Sequence, residues 1–175
     1  MKYLAAIAGM AFVLTIDGFA QSLHTEQPYS VFAFSDSVDL RGSTTHVFEA
    51  VTGDISGWWD HSFSHKPYRL FIEPKPGGGF WEMFDDKGNG VLHATVTYAD
   101  RGKVLRFVGP LGLAGKALDM VSTYTLKSIT ADSTRLYLDV HAAGEITPGL
   151  EKVVHGVWVH FLVERLKPYL AHQQR

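Results

Sequence analysis

The C-terminal end of the chain contains the pattern that most constrains the fold. Between Pro148 and Leu170 apolar residues recur at intervals of three and four, at Leu150, Val153, Val154, Val157, Trp158, Phe161, Leu162, Leu166 and Leu170. This spacing predicts one apolar face of an α-helix about six turns long. A single helix with a full apolar stripe needs a concave surface to cover it. Because no comparable helical pattern precedes it, we expect that surface to be a curved β-sheet.

The segments ahead of this helix have the pattern of antiparallel strands. In the last of them Leu136, Leu138 and Val140 alternate with polar and charged residues, which is typical of a sheet with one buried face. Short turns such as 85–90 favour antiparallel neighbours. The predicted strands are 29–40, 69–73, 80–84, 91–98, 104–108, 120–126 and 134–141.

Two short helices are predicted after the first strand. Ser43 is a suitable N-cap for a helix through Val51, and Asp54 for a second helix over 55–60. The predicted fold is therefore α+β, with a curved antiparallel sheet wrapped around a long C-terminal helix. We expect one domain over 29–172, with room for a cavity between sheet and helix.

Composition excludes several classes of function. The chain has 175 residues, of which 46% are apolar and 19% charged, with a formal net charge of -2. The absence of clustered basic residues argues against a nucleic-acid or anionic-membrane partner. Since there is no cysteine, disulfides, a thiolate nucleophile and Cys-ligated metals are excluded. Aromatic residues make up 13% of the chain, which suits an aromatic-lined cavity.

The first 20 residues have the outline of a secretory signal peptide. Lys2 supplies a positive charge, the run 3–16 is apolar, and small residues precede a cleavage position after Ala20. The apolar run is shorter than the roughly 20 residues that a membrane-spanning helix needs. We therefore expect a signal peptide over 1–20, a polar leader over 21–28, and a secreted or periplasmic mature protein without a membrane span.

Seven short motifs, taken in order, resemble a known superfamily. They are Val47-Phe48-Glu49-Ala50-Val51-Thr52, Trp58-Trp59, Pro76-Gly77-Gly78-Gly79-Phe80-Trp81-Glu82, Gly90-Val91, Leu105-Arg106-Phe107, Thr134-Arg135-Leu136 and Gly156-Val157-Trp158. Over about residues 31–170 the chain resembles the START-like, or SRPBCC, superfamily, and within it the branch related to the C-terminal domain of the Hsp90 ATPase activator. The resemblance implies a helix-grip fold, in which the sheet grips the C-terminal helix.

The resemblance implies a cavity more than a reaction. Members of the superfamily bind lipids, sterols, polyketides or plant hormones, a few are cyclases or dehydratases, and others are co-chaperones; fold alone does not decide among them. A secretion signal argues against a cytosolic Hsp90 partner. We expect a binding protein for a small hydrophobic or amphipathic molecule. A cyclase or dehydratase-type enzyme, and a protein-binding adaptor with a filled core, remain alternatives.

The candidate binding residues are aromatic side chains on elements that surround the superfamily's cavity. They are Trp59, Phe71, Trp81, Phe84, Tyr124 and Trp158. The connection 109–116 is unusually apolar and glycine-rich. It is either a loop folded onto the core or a mobile lid, for which Gly112, Leu113 and Gly115 are the candidates.

Catalytic and metal signals are weaker. His155 and Glu82 are candidates for proton transfer in the enzyme alternative. No Gly-x-Ser-x-Gly turn presents a serine nucleophile. His61 and His65, with Asp60 alongside, have an i,i+4 spacing that could hold a metal on a helix. The residues between them and Pro67 indicate a loop, so we expect no metal site and no cofactor.

Overall fold

All strands in the described part of the chain belong to one antiparallel sheet that curves around the C-terminal helix. The computed structural model describes residues 29–173, so the predicted signal peptide 1–20 and leader 21–28 lie outside the described residues. The eight strands are β1 (Tyr29–Arg41), β2 (Gly53–Asp54), β3 (Arg69–Ile72), β4 (Gly79–Met83), β5 (Gly90–Asp100), β6 (Val104–Val108), β7 (Leu118–Thr130) and β8 (Ser133–Glu145). Their order across the sheet is β1-β8-β7-β6-β5-β4-β3-β2.

The first and last strands lie side by side, and β1 pairs with β8 over its whole length. Val38 of β1 faces Leu136 of β8 in the register, and both side chains are buried. One residue further along, Arg135 donates to Asp39 on the solvent face at 2.6 Å (Nε to Oδ1) and 2.8 Å (Nη2 to Oδ2). The predicted alternation of one buried and one wet face is confirmed in these strands.

The C-terminal helix runs without interruption from Leu150 to His172. It consists of α2 (Leu150–Val159), a π-helical segment (His160–Leu166) and α3 (Lys167–His172). Most of its predicted apolar stripe is buried against the sheet, including Phe161, Leu162, Leu166 and Leu170, but Val153 is 62% exposed. Burying each such side chain contributes about 1.5–3 kcal/mol, which explains why the sheet wraps this face. Within residues 29–173, no helix has the length and apolar character needed to cross a membrane.

One of the two predicted short helices is present. Helix α1 spans Thr44–Ala50, and Ser43 caps it by accepting from the His46 backbone N–H at 3.3 Å. In place of the second helix, the structure has β2 followed by a single turn in which the N–H of Trp59 bonds to the Ile55 carbonyl at 2.9 Å. The pairing of β2 with β3 fixes the chain directly before the turn and so limits the length of the turn. On the other side the Trp59 indole N–H donates to the His61 carbonyl at 2.8 Å.

Candidate functional site

A cavity of about 330 Å³ lies between the sheet and the first half of the C-terminal helix. Its wall is mostly apolar, with a few polar atoms supplied by histidine and serine. The lining residues are Trp59, His61, Ser62, Phe63, His93, Pro110, Leu111, Gly112, Leu113, Met120, Leu150, Val153, Val154, Val157, Trp158 and Phe161. Such a lining, with a small number of polar groups, is typical of sites for small molecules.

The loop between β6 and β7 forms one wall of the cavity. Residues Leu111–Leu113 form a 3-10 turn, and Leu111 is buried. Among residues 29–173, Leu111 is also the only non-glycine residue with a positive φ, at 50°. Holding a leucine in this region costs about 1–2 kcal/mol, so the loop is kept in a strained conformation at the cavity wall.

Aromatic rings form the deep end of the cavity. Trp59 stacks on Phe161 with ring centroids 3.8 Å apart, and the edge of Trp59 meets Phe80 at 5.0 Å. Trp158 lies 6.0 Å from Trp59 in an edge-to-face arrangement. Rings in these geometries stabilise one another by about 0.5–1.5 kcal/mol per pair beyond their buried area, so the three rings hold this part of the wall together.

The six aromatic residues predicted to bind a ligand fall into three places. Trp59 and Trp158 line the cavity. Tyr124 lies behind Trp158, with ring centroids 5.9 Å apart, and burial raises the pKa of its phenol. The remaining three, Phe71, Trp81 and Phe84, lie outside the cavity wall.

Strand parity explains where Phe71 and Trp81 lie. In β3 the buried residues are Leu70 and Ile72, so Phe71 points to the outer face of the sheet. Trp81 is its partner in the register of β3 and β4, on the same outer face, where its indole N–H donates to Glu73 at 3.2 Å. Phe84 follows the end of β4 and is 42% exposed.

The predicted lid is only partly in contact with the cavity. Gly112 and Leu113 line it, whereas Gly115 does not. The two glycines also differ in conformation: Gly115 has φ +99°, and Gly112 has no positive φ and open space where a Cβ would be. Mobility of this loop is a prediction that its conformation alone does not test.

Substituting the two glycines separates lid motion from backbone strain. In Gly112→Ala we expect stability to be unchanged or raised by up to about 1 kcal/mol, because the alanine fits and restricts the unfolded chain. Gly115→Ala should lower the stability by about 1–2 kcal/mol, because of its left-handed backbone. If the loop is a lid, stopped-flow release of N-phenyl-1-naphthylamine will be slower in Gly112→Ala. Unchanged release would contradict the lid.

Glu82 is a fully buried carboxylate beside the cavity, at 0% exposure. It accepts hydrogen bonds from the Phe63 N–H at 2.9 Å and from the Ser64 N–H and hydroxyl at 2.8 Å each. It also accepts from His93 Nε2 at 3.0 Å. Burial alone would raise the pKa of Glu82, but these donors outweigh it and hold the pKa below its ordinary value.

His93 joins this carboxylate to the cavity. Its side chain lines the cavity, and its Nδ1 lies 3.4 Å from the Leu111 carbonyl oxygen. In the register of β4 and β5, Phe80 faces Ala94 and Trp81 faces Leu92, so His93 is the extra residue of a β-bulge. Bulges redirect side chains and are frequent beside active sites. Here the bulge turns His93 inward, toward Glu82.

His155, the other predicted proton-transfer residue, lies elsewhere. Its Nε2 is 3.2 Å from Asp36 Oδ1 on β1, and its ring packs on Phe34 at 4.8 Å. It does not line the cavity. The structure therefore brings Glu82 into the neighbourhood of the cavity, but not His155.

Several lining residues were not predicted, above all His93, Leu111 and Met120. In the sequence, Leu92, Ala94 and Val96 alternate with His93, Thr95 and Thr97 without a visible break, which predicts an outward-facing His93. The bulge changes that alternation, so that His93 and Ala94 are buried one after the other. The apolar character of 109–116 was the only signal that pointed to Leu111.

The arrangement of sheet and helix is shared with solved structures of low sequence identity. SA2116, a protein of unknown function from Staphylococcus aureus, aligns with a TM-score of 0.59 at 12% identity, over 83% of this chain and 97% of that one. Mll3558 from Rhizobium loti aligns with a TM-score of 0.58 at 15% identity, over 82% and 99%. DynU16, from the dynemicin biosynthetic locus, aligns with a TM-score of 0.53 at 21% identity, over 81% of this chain and 48% of DynU16.

These likenesses establish the fold, which resembles the helix-grip arrangement. No family model matches the chain, and no curated protein sequence matches it. At these low identities the shared fold does not indicate an activity.

Proposed function

We propose that the protein is a secreted or periplasmic member of the SRPBCC superfamily that binds a small hydrophobic or amphipathic molecule. The observation that carries this proposal is the apolar cavity of about 330 Å³ beneath the C-terminal helix. A protein whose core only had to be stable would fill such a space with side chains. The volume lies at the lower end of the range typical of small-molecule sites.

The cavity wall sets the character of the ligand. A molecule that buries about 200 Å² of apolar surface there gains roughly 5 kcal/mol, from which the cost of immobilising it is subtracted. His93 and Ser62 supply polar atoms in the wall that fix the orientation of a polar end group. This combination favours an amphipathic molecule with one polar end over a pure hydrocarbon.

A substitution that fills the cavity tests the proposal. Val157 lines the cavity, so a tryptophan at this position should occupy part of the space. We expect Val157→Trp to weaken binding of N-phenyl-1-naphthylamine at least about 10-fold, measured by its fluorescence. Val163→Trp is the matched control, because Val163 is 47% exposed and lies outside the cavity wall. Equal affinities in the two variants would contradict binding in this cavity.

The Glu82–His93 pair favours a second candidate, an enzyme of the cyclase or dehydratase type. Glu82 orients the His93 ring, as carboxylates do for acid–base histidines. A polar group of the ligand that replaced the Leu111 carbonyl oxygen as the partner of His93 Nδ1 would contact this nitrogen directly. A likeness in fold to a protein of a biosynthetic locus agrees with this candidate. It predicts that the wild-type protein and His93→Phe hold molecules whose masses differ by a reaction step, such as loss of water.

A further inference from the structure

Two histidines and an aspartate meet at the rim of the cavity. His160 Nε2 lies 3.1 Å from Asp60 Oδ1 and 2.9 Å from Oδ2, although the two residues are 100 positions apart. His61 Nδ1 lies 2.9 Å from the same Asp60 Oδ1. One ligand atom of each residue falls within 4.8 Å of the other two. Two imidazoles and a carboxylate at this spacing are a donor set that transition metals prefer.

The orientation of His160 is fixed from its other ring nitrogen. Nδ1–H donates to Glu164 Oε2 at 2.8 Å, one helical turn further along. Metal-binding histidines usually donate their second N–H to a carboxylate in this way. Without a metal, Nε2 also faces a carboxylate, that of Asp60, so a bound ion has to displace the Nε2 proton. His160 is also the first residue of the π-helical segment, a rare conformation that is frequent at functional sites.

The loop that carries Asp60 and His61 is held on both sides. Before the pair, the Trp59 indole N–H donates to the His61 carbonyl at 2.8 Å. After it, the Phe63 and Ser64 N–H groups donate to the buried Glu82 carboxylate. The His61 ring packs edge-on against Phe161 at 4.9 Å. The three side chains therefore need little reorganisation to converge on one ion.

We propose that Asp60, His61 and His160 form a binding site for a divalent transition-metal ion such as Zn²⁺, with Glu164 positioning His160. Three protein ligands leave at least one coordination position for water or another ligand. The sequence-based expectation of no metal site considered His61 and His65 with Asp60 alongside. The structure supplies His160 from the C-terminal helix in place of His65.

Arg165 would compete with a metal ion for the Asp60 carboxylate and so lower the affinity of the site for the ion. Its Nε lies 3.2 Å from Asp60 Oδ2, so its charge occupies one side of the carboxylate. A divalent ion would have to share Asp60 with this guanidinium. We therefore expect micromolar rather than nanomolar affinity, and tighter binding when the positive charge is removed.

The test is isothermal titration of Zn²⁺ into the untagged, chelator-treated chain, with Co²⁺ absorption as a report of the ligand set. We expect one ion per chain in the wild type and loss of binding in His160→Ala and His61→Ala. Glu164→Gln should weaken binding about 10–100-fold, as outer-sphere partners of metal ligands do. Arg165→Gln should tighten it several-fold. His65→Ala, an exposed histidine in the same loop, is the control and should bind like the wild type.

Three results would contradict the proposal. No saturable binding to the wild type, or equal binding in His160→Ala, would show that the cluster is an ion-pair network only. Loss of binding in His65→Ala would place the ion elsewhere. Because His61 and His160 are not in the buried core, each variant is expected to fold, and its melting temperature in the absence of metal verifies this. His61 also lines the cavity, but the titration uses Zn²⁺ alone and the cavity test uses a dye alone, so failure of one is distinguishable from failure of the other.

Discussion

Replacing Glu82 with alanine should destabilise the protein by about 3–5 kcal/mol. The variant leaves the N–H groups of Phe63 and Ser64, the Ser64 hydroxyl and His93 Nε2 without their acceptor in a buried site. The bond from His93 is buried and those from Phe63 and Ser64 are part-buried, so water replaces these bonds only in part. Urea denaturation at pH 7 measures the change in the free energy of unfolding.

The isosteric variant Glu82→Gln isolates the charge. Because the folded pKa of Glu82 lies below its ordinary value, the carboxylate stabilises the fold fully above the unfolded pKa of about 4.3. That contribution is lost as the pH falls through the folded pKa. The stability difference between wild type and Glu82→Gln should therefore be largest near neutral pH and shrink in acid.

Glu73→Ala and Glu73→Gln are the matched controls for the two measurements. Glu73 also accepts hydrogen bonds, from the Gly79 N–H at 3.0 Å and the Trp81 indole at 3.2 Å, but its side chain is 38% exposed. Water replaces its bonds, so we expect a loss of about 1 kcal/mol or less. Equal losses for Glu82 and Glu73 would contradict the role assigned to the buried carboxylate.

Trp59→Ala is expected to be the other large effect, at about 3–5 kcal/mol. The substitution removes the ring stacked on Phe161 at 3.8 Å and the indole bond that holds the His61 carbonyl. It also enlarges the cavity, so the affinity for N-phenyl-1-naphthylamine should change together with the stability. Fluorescence titration and thermal unfolding measure the two effects.

Trp81→Ala provides the comparison of the same substitution on the outer face of the sheet. Trp81 is half-buried and lies outside the cavity wall. Its loss should cost about 1 kcal/mol and leave the dye affinity unchanged. A change in dye affinity for Trp81→Ala as large as that for Trp59→Ala would contradict the placement of the binding site.

The elements that were predictable from the sequence are those whose periodicity is long and uninterrupted. The apolar stripe from Leu150 to Leu170 predicted the C-terminal helix, and the alternation around Leu138 predicted the last strand. Both patterns report burial against a large surface, which local conformational preferences rarely override. Because a single long helix needed a covering sheet, the overall architecture followed from these two patterns.

The inward face of the central strands was not predictable in the same way. In Phe80-Trp81-Glu82 the residue types favour an outward Glu82, yet Glu82 is buried and Trp81 lies on the outer face. The donors that compensate Glu82 come from the distant loop at Phe63 and from the bulged His93. A pattern of residue types along one strand does not report such partners.

Contacts between segments that are distant in the sequence could not be predicted either. The contact between Asp60 and His160 depends on how the C-terminal helix packs on the loop after β2. No local spacing of residues encodes that packing. The prediction of a second short helix was wrong for a related reason. The pairing of β2 with β3 restricts 55–60 to one turn. Tertiary pairing decides short elements more than propensity does.

Native mass spectrometry of the purified protein is the most direct test of the central claim. We expect a chain that begins at Gln21, with a small hydrophobic or amphipathic molecule bound at one per chain and released on denaturation. Val157→Trp should carry little of it, and Val163→Trp as much as the wild type. Protein that carries no such molecule, and that also fails to bind added N-phenyl-1-naphthylamine, would contradict ligand binding in the cavity.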